Sequence, residues 1–161
     1  MPHPLFHSPR SDDESGFTLI ELSVTLLILT ILLAMVSSTF FEVRNLAHNQ
    51  TAKDLARNGL TAEKTFYSDR ATYTDLDTNL TAVEPSLAFV TVEGSLTGGK
   101  TVYVKKYTVG AADDTVVVGA RSATGKCYWL RDSSATPPGT QYLMNSSCTA
   151  PDHTTVMFAG W

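Results

Sequence analysis

The sequence predicts an α+β protein in which one long N-terminal helix packs on a small antiparallel sheet. Three observations carry that expectation. From Phe17 to Tyr67 there is no proline, and the only glycine is Gly59. Within that stretch, Leu19 to Val36 holds one charged residue, Glu21, and is otherwise mostly Leu, Ile, Val, Ala and Met. After Pro85 the pattern changes to short runs rich in Val, Thr and Tyr, separated by glycine, proline and aspartate. A long stretch without breakers reads as a helix, and short β-branched runs between turn residues read as strands.

Residues 1–16 come first. Pro2, Pro4 and Pro9 are followed by Arg10 and the acidic group Asp12, Asp13, Glu14. Such a segment cannot bury a core. The helix is expected from Phe17 to about Tyr67, and at ~1.5 Å per residue it would be about 75 Å long. Its first part, residues 17–38, is apolar on every side. A run of roughly 18 such residues is long enough to cross a bilayer, and no second run of this kind follows. Residues 39–70 form an amphipathic continuation. On a helical wheel Leu55, Gly59, Ala62 and Phe66 share one side, with Thr51 and Ala52 beside them, while Lys53, Arg57 and Lys64 gather on the other. The first side suits packing on a sheet.

Residues 71–161 then make a connector and a head. From Ser68 to Pro85 the chain is rich in Thr, Asp and Asn and is expected to run over the surface. Strands are expected at Leu87–Glu93, Lys100–Thr108, Thr115–Arg121, Cys127–Arg131, Gln141–Met144 and Thr155–Phe158. Turns are expected at Gly98-Gly99, at Asp113-Asp114, before Cys127 at Gly125, and at Pro137-Pro138-Gly139. An isolated sheet needs a cover on its apolar face, and the amphipathic half of the helix can supply one.

Composition excludes several functions. The net charge is -4 and only 17% of residues are charged, so no basic face predicts a nucleic-acid partner. His3, His7, His48 and His153 are scattered. No zinc-protease, nucleophile-elbow or phosphate-loop motif occurs, so no catalytic residue or cofactor is predicted. Asp113, Asp114, Asp132 and Asp152 would hold a cation only if their loops converged, and turn-forming aspartates are commoner, so no metal site is predicted. Tyr128, Trp129, Tyr142 and Trp161 are expected mostly in the sheet core rather than on an adhesive surface. Cys127 and Cys148 are the two cysteines. Beyond a membrane they suggest one disulfide, and two buried thiols are the alternative.

The stretch Gly16-Phe17-Thr18-Leu19-Ile20-Glu21-Leu22, followed directly by the apolar run, resembles the type IV pilins, including the pseudopilins of type II secretion. The resemblance implies that a prepilin peptidase removes residues 1–16 by cutting between Gly16 and Phe17. It implies N-methylation of Phe17 and a role in assembly for Glu21. The partners it implies are other copies or other pilins, the peptidase, an inner-membrane assembly platform and, before assembly, membrane lipid. The implied location is a single-pass inner-membrane protein with its head outside the cytoplasm, later an extracellular or periplasmic filament. A disulfide between Cys127 and Cys148, fastening a loop to the sheet, fits the same likeness. Two departures stand out: acids rather than bases precede Gly16, and the proline common near the far end of the apolar segment is missing, with Ser38 in that region. Arg10 is then the only fixed cation before the span, so charge bias does not support the head-out orientation.

A carboxylate near the start of a membrane helix is unfavourable by a few kcal/mol if ionised and unpaired. Cleavage after Gly16 creates an ammonium at Phe17, and that group on one subunit can pair with Glu21 of a neighbour and fix the helix register. A different class of reading remains open: an anchored or secreted binding protein that does not polymerise, with its apolar run as a plain anchor or as a secretory signal cut near Ser38.

Overall fold

The computed structural model describes residues 16–109, 112–134 and 139–161. Its elements in chain order are α1 (Leu19–Arg70), α2 (Asp77–Val83), β1 (Ala88–Val90), a short 3-10 turn (Glu93–Ser95), β2 (Thr101–Val109), β3 (Ala112–Arg121), β4 (Cys127–Ser133) and β5 (Gly139–Asn145). The architecture is α+β and pilin-like, a long N-terminal helix with a mostly antiparallel sheet of five strands. Helix α1 passes through the boundary between two compact units, one ending at Phe41 and the other spanning Glu42–Trp161.

In the second unit, the strands lie in the order β1-β2-β3-β4-β5. β2 to β5 form an antiparallel meander, whereas β1 pairs parallel to β2, with Phe89 opposite Val102. The parallel pair departs from the all-antiparallel expectation. It arises because the chain enters β1 from α2 and reaches β2 through the 3-10 turn and Gly98-Gly99, both glycines having positive φ. Asp113 and Asp114 lie within β3 rather than in a turn, so the strand starts earlier than expected. Thr155–Phe158 contributes only a bridge, Tyr142 with Phe158.

Side chains alternate across the pleat, which gives the sheet two buried faces. Val102, Val104, Val116, Val118, Ala120 and Leu130 pack with the helix. Tyr103, Val117, Cys127 and Trp129 face the other way and pack with Leu96 and Met157. The helix stripe that meets the sheet is Ala52, Ala56, Gly59, Leu60 and Glu63, with Ala62 beside it. This is rotated from the expected stripe: Leu55 and Phe66 are only half-buried and Thr51 is exposed. Small residues decide the contact because they bring the helix axis close to the valines. A Cβ on Gly59 would sit 2.6 Å from Val102 Cγ1.

Glu63 is fully buried on that stripe. Its Oε2 accepts the Thr74 N–H at 3.2 Å, while Oε1 has no partner among the described residues. Burial lifts its pKa to about 8, with Asp75 adding to the rise and the Thr74 N–H and Lys106 opposing it. The connector is correspondingly more ordered than expected. Ala71 takes a left-handed conformation (φ 55°) and its N–H closes on Tyr67 O at 2.7 Å, which ends α1. Tyr73, Thr74 and Leu80 then turn inward and are buried. The Tyr73 hydroxyl donates to Asp132 Oδ2 at 2.8 Å, and Lys64 pairs with Asp132 Oδ1 at 3.0 Å.

Two further ties close the head. In the β3–β4 turn, Ser122 and Thr124 hydroxyls both donate to Asn49 Oδ1 on α1, at 2.9 and 2.6 Å. The segment after β5 is held by Arg131, whose Nη1 donates to the carbonyls of Asp152, His153 and Thr155. Trp161 ends beside Tyr128 and Tyr142, with Lys53 and Arg57 over its ring.

Candidate functional site

Gly16 and Phe17 precede the first helical turn, and Phe17 is 88% exposed. Among the described residues, a Cβ added to Gly16 would meet nothing within 4 Å. The helix starts with a reciprocal cap. Thr18 donates to Glu21 Oε2 twice, from its N–H at 2.9 Å and from its hydroxyl at 2.8 Å, and the Glu21 N–H returns to Thr18 Oγ1 at 3.3 Å. This is the capping box that Thr-x-x-Glu encodes. Glu21 also stands in the first turn of α1, where the helix dipole favours an anion. Its other oxygen, Oε1, has no hydrogen-bond partner among the described residues.

Thr18 is the residue that sequence reasoning missed. The signal was present, a threonine three places before a glutamate and directly ahead of an apolar run.

Beyond the cap, α1 presents apolar surface all round. Every large hydrophobic side chain from Leu19 to Val36 is exposed, and the helix is long and apolar enough to cross a membrane. The hydroxyls within this segment are turned back on the helix itself. Ser23 donates to Ile20 O at 2.9 Å, Thr30 to Leu27 O at 2.8 Å, and Thr25 to Glu21 O. Each polar group is therefore satisfied without a partner helix, and the surface offered to lipid or to another helix is effectively hydrocarbon.

The structure joins Cys127 and Cys148 in a disulfide, with Cα atoms 5.1 Å apart and a sequence separation of 21. It links the start of β4 to the segment after β5. Among the described residues the other sequence candidates do not converge. Asp132 is occupied by Tyr73, Lys64 and Thr140. Asp152 accepts from the N–H and hydroxyl groups of Thr154 and Thr155, which hold its carboxyl down at about 2. The side chains of Asp113 and Asp114 lie outside the described residues, among which no acid, histidine or cysteine cluster has the makings of a metal site. Trp129 and Tyr128 are buried, as the core assignment expected, while Tyr142 and Trp161 are half-buried at the β5 edge.

Residues 12–37 match the family model of the prokaryotic N-terminal methylation motif. This is the signature of type IV pilins and pseudopilins, a family of structural proteins, and it supports a pilin-like processed precursor. The match covers the capping box and the apolar segment and leaves the whole head outside it. The motif and the exposed apolar helix together fit a membrane-anchored precursor. No curated protein matches the chain.

Proposed function

We propose that the chain is a structural subunit of a type IV pilus or of a type II secretion-like pseudopilus. A prepilin peptidase cuts between Gly16 and Phe17, Phe17 is N-methylated, and the subunit waits in the inner membrane with its head outside the cytoplasm. Residues 17–38 are the membrane and polymerisation segment, 39–70 the amphipathic half, and 71–161 the connector and head. The observation that carries this reading is the methylation motif over residues 12–37 on an apolar helix with no cover in the monomer.

The geometry at Glu21 gives the reading a mechanism. In the stored subunit, the capping box stabilises the Glu21 carboxylate through Oε2, which offsets part of the desolvation of an acid at the membrane edge. Oε1 stays available. In the filament it receives the ammonium of Phe17 from a neighbouring subunit, so each new chain end neutralises one acid. A buried pair of this kind contributes register more than stability. Removing one partner still leaves an uncompensated charge, at a cost of about 3–5 kcal/mol. Apolar helix surfaces gain little by meeting inside lipid, so the helices store laterally and pack together once extracted.

Mass spectrometry of the mature N-terminus tests the proposal. A chain starting at N-methyl-Phe17 is expected. A start near Thr39, or an intact Met1, would instead support an anchored or secreted protein that does not polymerise.

A further inference from the structure

Outside α1, the large apolar side chains that the described head exposes fall into two groups. Leu76, Val83 and Val92 lie by α2 and β1, and Met144, Val156 and Phe158 lie by β5 and the segment after it. β1 and β5 are the two edges of the sheet. Four strand spacings of ~4.8 Å separate them by about 19 Å, so one chain cannot bring its own two groups together. Exposed apolar clusters of this kind mark contact surfaces rather than ordinary surface.

The two edges also differ in charge. Asp75, Asp77, Glu84 and Glu93 flank the first, with Lys100 at the start of β2. Asp75, Leu76, Asp77, Val90 and Val92 line an open groove there. None of these four carboxylates is in a salt bridge among the described residues. At the second edge Lys53, Tyr142, Met144, Phe158 and Trp161 line another groove. Lys53 forms no salt bridge among the described residues, and Arg57 pairs only with exposed Asp54, at 3.1 Å. The one acidic side chain on the segment after β5, Asp152, accepts from Thr154 and Thr155 at Oδ1, and the cationic Arg131 donates to its backbone carbonyl at 3.2 Å.

We infer that the acidic, apolar β1 edge of one head docks on the basic, aromatic β5 edge of a second copy of this chain. The contact is heterologous, since each copy uses two different surfaces. Contacts of that type do not close on themselves as a dimer does, and they propagate into rings or open helices. The inference rests on the filament reading above and adds which surfaces of the heads meet.

Cross-linking tests it. The full-length chain carrying both Val92→Cys and Phe158→Cys is assembled into filaments and treated with a short, flexible bismaleimide. The native cysteines are already joined to each other. A ladder of covalent oligomers is expected from the double variant, and at most dimers from either single variant. Leu76→Cys with Met144→Cys is a second pair, independent of the Phe158 bridge. Asp77→Lys is expected to lower filament yield several-fold, and Lys53→Glu in the same chain to restore it. Filaments that form normally but give no ladder from either pair overturn the edge pairing and leave the filament reading intact. So do cysteines that link to a different polypeptide, and so does a yield lost to Asp77→Lys and not restored. A chain that never polymerises removes both proposals.

Discussion

Glu63 makes the stability of the head depend on pH, in a direction and over an interval that its environment sets. Its carboxyl is fully buried on α1, with one oxygen on the Thr74 N–H and the other unpartnered among the described residues. Desolvation raises its pKa from 4.5 to about 8. Between those values the folded head keeps a proton that the unfolded chain has released, so stability is fully present below about pH 4.5 and falls as pH rises towards 8. The slope is about 1.4 kcal/mol per pH unit. Over the whole interval the loss is at most about 5 kcal/mol, a large part of the stability of a small domain. Glu63→Gln keeps the shape of the protonated acid and removes the titration. The assay is urea unfolding of the full chain in detergent at several pH values from 5 to 8, followed by near-UV dichroism of buried Trp129. The wild type is expected to lose stability with rising pH, and Glu63→Gln to lose much less. Every other titratable group is common to both chains, so the difference between them reports Glu63. Parallel pH profiles for the two proteins would refute the reasoning.

Other substitutions probe the remaining features. Gly119→Ala puts a Cβ 2.2 Å from Trp129 Cε3, and it is expected to destabilise the head by about 1–3 kcal/mol or more, read as a lower thermal midpoint. Ala71→Gly relieves a left-handed alanine at the end of α1 and is expected to stabilise by about 1 kcal/mol in the same assay. Opening the Cys127–Cys148 link with reductant, or by Cys148→Ser, removes a cross-link across 21 residues. The expected loss is about 3 kcal/mol, together with faster proteolysis after Asn145. Glu21→Ala is expected to leave cleavage at Gly16 unchanged while abolishing assembly. Normal filaments from that variant would remove Glu21 from the assembly site.

The long helix and the apolar segment were plain in the sequence because both are signals of absence: no proline, one glycine and almost no charge over many residues. The methylation motif was legible because its parts are adjacent in the chain. What escaped depended on partners far apart in sequence. The buried stripe of α1 runs through Ala52, Ala56 and Gly59, residues that hydrophobicity ranks low but whose smallness lets the helix approach Val102 and Val118. A wheel places Glu63 beside Gly59 on the apolar side, but its charge argues for surface, and only the inward turn of Tyr73 and Thr74 explains why it is enclosed. The parallel β1–β2 pair could not be read from short β-type runs, which carry no direction. In the candidate site, Thr18 was within reach of sequence reasoning, whereas Arg131 as the clasp of the last segment was not.

The consecutive order of β2 to β5 bears on how the head is made. Each of these strands finds its partner in the next few residues of chain, so loop closure is short at every step and the search is quick. A polypeptide emerging from its N-terminal end can zip this meander hairpin by hairpin. Oxidation of the two cysteines then comes last, because Cys148 follows every strand. Covalent closure of the head therefore waits for the last part of the chain to arrive.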